Sequence, residues 1–186
     1  MGQMIKGITL KSRAAFVEAN YGPDDMPKVL STLSGEVKDL FTDPLRIKAT
    51  GWYPFEHQVQ VDEAIYKVLA KGDSNVYRLM GGFSAEYHDK QLAMKQFTEP
   101  WKFLALQTMI WSRFFKPGYA EVIKVTDREA KIHVYGFKSV HENCETNLGF
   151  FHRSLELCGA EDVSAVETQC TKDPGVEYCE YRLRWH

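Results

Sequence analysis

The hydrophobic pattern of this 186-residue chain changes character at Pro117-Gly118, and that change sets the fold class. Before it, apolar residues recur at the 3.6-residue period of helices. After it, they alternate in short runs bounded by turn residues, interrupted by one further helical stretch. Residues 8–21 place Leu10, Ala14, Val17 and Tyr21 on one helical stripe, stopped by Gly22-Pro23. A second helix, capped by Asp24 or Asp25, carries Pro27 in its first turn, and a third segment ends at Phe41, before Asp43-Pro44. Pro54 suits the first turn of a helix reaching about Ala70. Residues 76–97 continue the helical period. Gly81-Gly82 within it costs ~1 kcal/mol per glycine relative to alanine, a cost that is tolerable where another element or a ligand approaches closely. Residues 101–116 are apolar on more than one face and predict a single central helix.

Beyond Pro117-Gly118 the residues 120–125 and 131–137 predict a hairpin, 141–157 a helix, and 162–168 with 177–185 a second strand pair. In the last strand Cys179, Tyr181, Leu183 and Trp185 share one face, which is the buried one. The order predicts an α+β fold: N-terminal helices packed on a C-terminal antiparallel sheet built from two hairpins with an intervening helix. At this length one domain over 1–186 is expected, with helical residues 1–45, central helices 46–117 and an α+β core 118–186.

Composition narrows the function. A net charge of −2, with lysine and arginine scattered along the chain, predicts no nucleic-acid partner. No apolar run approaches the ~20 residues of a membrane span. The four cysteines, Cys144, Cys158, Cys170 and Cys179, stand in a chain with no visible export signal. That favours a reducing, cytoplasmic setting and metal binding or burial over disulfides. No Ser-His-Asp order, phosphate loop or two-histidine metal motif is present, so a non-enzymatic role is expected.

Several stretches carry a family likeness. Cys144-x4-Gly149-Phe150-Phe151, Leu155-Glu156-Leu157-Cys158-Gly159-Ala160, Glu167-x2-Cys170 and Gly175-x2-Tyr178-Cys179-Glu180-Tyr181, closing on Trp185, resemble the C-terminal half of the 4-vinyl reductase domain. The chain is also similar to heme-NO-binding-like and myxobacterial-type proteins of unknown function. Its N-terminal part, with Gly7, Lys11-Ser12-Arg13 and Trp52-Tyr53-Pro54-Phe55, looks like the deltaproteobacterial branch of that group. The wider superfamily unites NO-sensing domains, phenol-sensing transcription activators and TRAPP vesicle-tethering subunits.

The resemblance implies a metal set of Cys144, Glu167, Cys170 and Cys179, with zinc as the ion, weighed evenly against three cysteines packing as small hydrophobes. Glu167 and Cys170, three apart on a regular strand, would point to opposite faces, so both can ligate only if the strand bends. Cys158 is assigned to the core. Heme is not expected, because the Tyr-x-Ser-x-Arg propionate clamp of heme NO sensors is missing; Tyr181-Arg182-Leu183-Arg184 is only superficially alike. The aromatic set Trp52, Phe55, Phe83, Tyr87, Phe103, Trp111 and Phe114 is the candidate lining of a pocket for a small apolar or aromatic molecule. The function expected is a sensory domain that signals through a partner protein and pairs as a homodimer. A TRAPP-like scaffold and a heme-based gas sensor are the alternatives.

Overall fold

The computed structural model describes residues 2–186, apart from the side chains of Pro44, Lys90 and Gln91. Strand β1, Met4–Lys6, leads into helix α1, Gly7–Asn20. Two short helices follow, α2, Met26–Leu30, and α3, Gly35–Thr42. Strand β2, Trp52–Pro54, then enters α4, Phe55–Val68, so Pro54 caps the helix from outside and does not occupy its first turn. Helix α5, Asn75–Leu92, stops earlier than its pattern suggests, where Ala93 takes a left-handed conformation. The single helix expected over 101–116 is two, α6, Pro100–Leu104, and α7, Gln107–Phe114, followed by strand β3, Phe115–Lys116. The two halves bury different sides: Phe103 and Leu104 enter the core, whereas Ile110, Trp111 and Phe114 face an internal cavity.

Strands β1, β2 and β3 form a small antiparallel sheet in the order β2-β1-β3, with Ile5 opposite both Tyr53 and Phe115. The C-terminal part is the α+β unit expected. Strands β4, Tyr119–Thr126, and β5, Glu129–Tyr135, make the first hairpin; helix α8, His141–Leu157, follows. Strands β6, Ser164–Gln169, and β7, Tyr178–Arg184, complete a sheet ordered β4-β5-β7-β6. On β7 the residues Cys179, Tyr181 and Leu183 are fully buried, opposite Val134, Ile132 and Ala130 of β5. Among the described residues no helix is long and apolar enough to cross a membrane.

Helices α5 and α8 cross with their backbones in contact. A Cβ on Gly81 would lie 1.9 Å from the Thr146 carbonyl oxygen, and one on Gly149 would lie 2.0 Å from the Arg78 carbonyl oxygen. Each helix therefore presents a glycine to the other's main chain. This is the close approach that makes the helix-weakening glycine at 81 tolerable. Gly82 is different, because its Cβ would meet Arg153 Cβ only at 3.7 Å. Replacing Gly81 by alanine should cost ~1–3 kcal/mol or more, by forcing the helices apart. Gly82→Ala should be neutral or gain up to ~1 kcal/mol in helix propensity. Urea unfolding of the two variants checks the contrast, and equal stabilities would refute the crossing.

Candidate functional site

Two constellations flank the first half of α8. The first is a cluster of thiols between that helix and the β6–β7 hairpin. Cys144 lies in the first turns of α8, Cys179 near the start of β7, and Cys170 just after β6. Their sulfurs are 3.5 Å apart for Cys144 and Cys170, 4.0 Å for Cys144 and Cys179, and 3.8 Å for Cys170 and Cys179. The edge of a tetrahedron with metal–sulfur bonds of about 2.3 Å is ~3.8 Å, and the three separations bracket it. Glu167 completes the group: one ligand atom from each of the four residues lies within 4.8 Å of the others. The buried Glu167 Oε1 has no hydrogen-bond partner in the protein.

The bend that this requires is present. Glu167 pairs with Tyr181 and Gln169 with Glu180, so two steps along β6 match one along β7. This β-bulge turns Glu167 and Cys170 to the same side.

The thiols share protons unequally. Cys144 is pushed well above its ordinary range by its hydrogen bond to Cys179 and then by burial. The Cys144 thiol in turn holds Cys179 down to about 6, against burial and with help from the Thr171 hydroxyl and N–H. Burial pushes Cys170 up to about 11. Cys158 is separate: it is buried, and its thiol reaches the Met94 carbonyl at 3.5 Å. His141 stands beside Lys172 Nζ, 3.0 Å from its Nδ1.

The second constellation is a cavity of about 50 Å³ lined by residues of α1, α4, α5, α7, β3 and α8. Trp111, Phe114, Phe115, Phe150 and Phe151 supply ring walls. Arg13 of α1, only 2% exposed, lies at one end. Its Nε donates to Asp62 Oδ1 at 2.6 Å, its Nη2 to Asp62 Oδ2 at 3.2 Å, and its Nη1 to Ser84 Oγ at 2.7 Å. Burial pushes the Asp62 carboxyl up while Arg13 and Gln58 pull it down. Arginine does not release its proton, so a neutral Asp62 would leave a bare buried cation; the pair is therefore ionised.

His88 sits farther along α5, its ring stacked on Phe114 at 5.1 Å. Burial lowers it to about 4, with the Ile8 carbonyl opposing and the Arg13 charge adding, so the ring is neutral. Its Nε2 has no partner in the protein, and the same holds for Gln107 Nε2, Trp111 Nε1, Asn143 Oδ1 and Thr146 Oγ1. All five residues line this one cavity. Left without any partner, each group would cost ~1–3 kcal/mol. The Ser139 hydroxyl connects the two constellations: it accepts from Asn143 Nδ2 at 3.0 Å and from Cys144 Sγ at 3.1 Å.

Of the seven aromatic residues expected to line a pocket, Trp111 and Phe114 line this cavity. The other five lie elsewhere. Phe55 packs edge-on against Phe137 at 5.0 Å, and Phe103 lies in the core 6.4 Å from Phe97. Phe83 and Tyr87 stack on each other at 6.2 Å, with Phe83 lining an outer groove between α5 and α8. Trp52 lies under the ammonium groups of Lys6 and Lys116, at 4.0 and 4.2 Å. Sequence reasoning missed the polar half of the cavity. A signal was available in Ser84 and His88, one turn apart on the side of α5 that carries Met80.

No family model matches the chain, and no curated protein matches it. Solved structures do. An Fe(II) unliganded H-NOX protein from K. algicida superposes with a TM-score of 0.73 at 12% identity, covering 98% of this chain and 97% of its own. An H-NOX protein from S. oneidensis in the Fe(II)NO state gives 0.74 at 12% identity, with 98% and 99% covered. A structure from work on heme redox potential and protein-induced porphyrin distortion gives 0.73 at 13% identity, with 97% and 99% covered. The chain has the fold of these H-NOX proteins.

These neighbours overturn the cofactor expectation. The sequence weighs zinc evenly and sets heme aside for want of a propionate clamp, yet two of the neighbours are Fe(II) proteins and the third is described by its heme. None of the three is described as a zinc protein. The clamp is a local motif, whereas the likeness lies in packing that such low identity conceals. The fit of a heme to this chain is divided. His88 Nε2, neutral and unpartnered, has the chemistry to hold a heme iron. The cavity is far smaller than the ~300–1,000 Å³ of ligand pockets, so a porphyrin does not fit it as it stands.

The buried His88 gives stability a pH dependence. Its folded value, about 4, lies below the ordinary 6.5, so between them the unfolded chain binds a proton that the folded chain excludes. This contribution is complete above about pH 6.5 and is lost as pH falls toward 4, by ~3 kcal/mol in all. His88→Phe should flatten that slope in urea titrations at stepped pH, and an unchanged slope would rule out a neutral His88.

Proposed function

We propose that this chain is a cytoplasmic, non-enzymatic sensory domain whose ligand occupies the cavity beside His88, and that it signals by contact with a partner protein. The observation carrying the reading is a neutral buried histidine, its Nε2 without a partner in the protein, among the residues that line the cavity of an H-NOX fold. The likeness favours a heme-based gas sensor, in which His88 would hold the heme iron and the iron would supply the affinity for the gas. Ligand binding acts on the partner only through differential affinity for two states of the domain. Movement of α7 relative to α5 and α8 is the natural difference between such states. Mixing the purified chain with hemin should produce a Soret band that His88→Ala abolishes. A wild-type chain that leaves the hemin spectrum unchanged refutes the heme form.

A second form, in which a small molecule binds directly among the cavity side chains, is favoured by the volume of about 50 Å³. It matches the 4-vinyl reductase-like reading of the C-terminal motifs. In both forms the domain pairs with a second copy, and the thiol cluster is a structural clasp. Cys144, Glu167, Cys170 and Cys179 hold one thiophilic divalent ion that ties α8 to the β6–β7 hairpin. The sulfur separations and the unpartnered Glu167 Oε1 support this. Protein purified without chelator should carry one such ion per chain by elemental analysis, and Cys170→Ser and Glu167→Gln should each lower the occupancy. Metal-free wild-type protein, no less stable than the same sample supplied with metal, would remove the clasp.

A further inference from the structure

Most cations on the surface of this chain have an acidic neighbour. Lys28, Lys67, Lys102, Lys124 and Lys131 pair with Asp25, Glu63, Glu99, Asp127 and Glu180. Among the described residues no carboxylate pairs with Lys6, Arg113 or Lys116. These three line one recess of about 440 Å³, between the β2-β1-β3 sheet and the ends of α5 and α7, and none of the residues lining it is acidic. The chain as a whole carries a net charge of −2, so this local excess does not follow from composition.

Strand register brings two of the charges together. Lys6 lies opposite Trp52, and Met4, two residues before it, lies opposite Lys116, so all these side chains leave one face of the sheet. Lys6 Nζ is 4.0 Å from the centre of the Trp52 ring and Lys116 Nζ 4.2 Å from the same centre. The two ammonium groups are therefore at most ~8 Å apart, about one Debye length at physiological ionic strength, and their repulsion is only partly screened. The indole face attracts both, and Lys6 is fixed further by donating to the Thr50 carbonyl at 2.9 Å. Arg113, in the last turn of α7, adds the third charge. Leu92 and Phe114 give the recess a carbon wall. Of its lining residues only Phe114 also lines the cavity beside His88.

We propose that this recess binds a small phosphate monoester with an apolar body, its phosphate among Lys6, Arg113 and Lys116 and its body against Phe114 and Leu92. Three unpaired cations call for more than a single negative charge. A phosphate monoester carries close to two at neutral pH and presents three acceptor oxygens, whereas a carboxylate carries one charge. Guanidinium and ammonium groups both bind phosphate, the first through a planar fork and the second as a point charge. The volume lies within the ~300–1,000 Å³ of small-molecule pockets, so the phosphate and a ring fit together.

Phenyl phosphate, inorganic phosphate, benzoate and phenol separate these demands. Each is titrated into the full chain at about pH 7.5, where the monoester is close to doubly charged, while the assigned indole N–H of Trp52 is followed by proton–nitrogen NMR. Phenyl phosphate should shift that resonance saturably, about tenfold more tightly than inorganic phosphate or benzoate, and less tightly as salt is raised. Phenol should leave it unmoved. Arg113→Gln and Lys116→Gln should each weaken phenyl phosphate about tenfold. Lys102→Gln, on α6 and outside the recess, should not. No saturable response to phenyl phosphate overturns the proposal. So does an equal loss in Lys102→Gln, which would mean unlocalised attraction to the surface. Inorganic phosphate binding as tightly as phenyl phosphate overturns the apolar body, and benzoate binding as tightly overturns the need for a second charge.

Discussion

The contact of α5 with α8 at Gly81 and Gly149 sets the positions of nearly every group of interest in the molecule. Two helices with side chains at the crossing keep their axes 8–10 Å apart. Here each main chain lies against the other's glycine, and a single Cβ on either would enter a carbonyl oxygen. Ser84 and His88 lie one and two turns past the crossing on α5; Asn143 and Thr146 lie just before it on α8. All four line the same cavity. A wider crossing would separate these walls and place the polar atoms out of each other's reach. The helix propensity given up at Gly81 is the cost of that geometry.

The interior combines two solutions to buried polarity. Arg13, Asp62, Gln58 and Ser84 satisfy one another in a closed network whose charges cancel. The groups on the other side of the cavity do not, although they are equally buried. A core selected only for stability would replace Gln107, Asn143 and Thr146 with aliphatic residues, since unpaired buried polar groups are unfavourable. Here Gln107 Nε2, Asn143 Oδ1 and Thr146 Oγ1 stand without protein partners beside a completed ion-pair network.

Much of the C-terminal unit was legible because its signals are local and regular. The helix over 141–157, both hairpins and the buried face of Cys179, Tyr181 and Leu183 follow from period and turn residues. Cys144, Glu167, Cys170 and Cys179 converge as one cluster, and the required bend is the bulge between Glu167 and Gln169. The small sheet was not legible, because strands as short as Met4–Lys6 and Phe115–Lys116 carry no periodicity. Nor was the break between α6 and α7, where no glycine or proline marks the change of buried face at Ala105 and Leu106. The aromatic residues were misleading for a physical reason. Rings such as Phe55 and Phe103 fill cores as readily as they line cavities, and composition does not distinguish the two. Arg13 and Asp62 are residue types normally found outside and His88 is of an intermediate type, so a hydrophobic pattern passes over them.

The Ser139 hydroxyl has a consequence for how the two constellations relate. It has one oxygen, and that oxygen holds both the Asn143 amide at 3.0 Å and the Cys144 thiol at 3.1 Å. Asn143 and Cys144 are neighbours in the chain, yet one looks into the cavity and the other into the sulfur cluster. A rotation about the Ser139 χ1 bond that suits one neighbour is imposed on the other. The Asn143 amide and the Cys144 thiol thus depend on the position of the same oxygen atom.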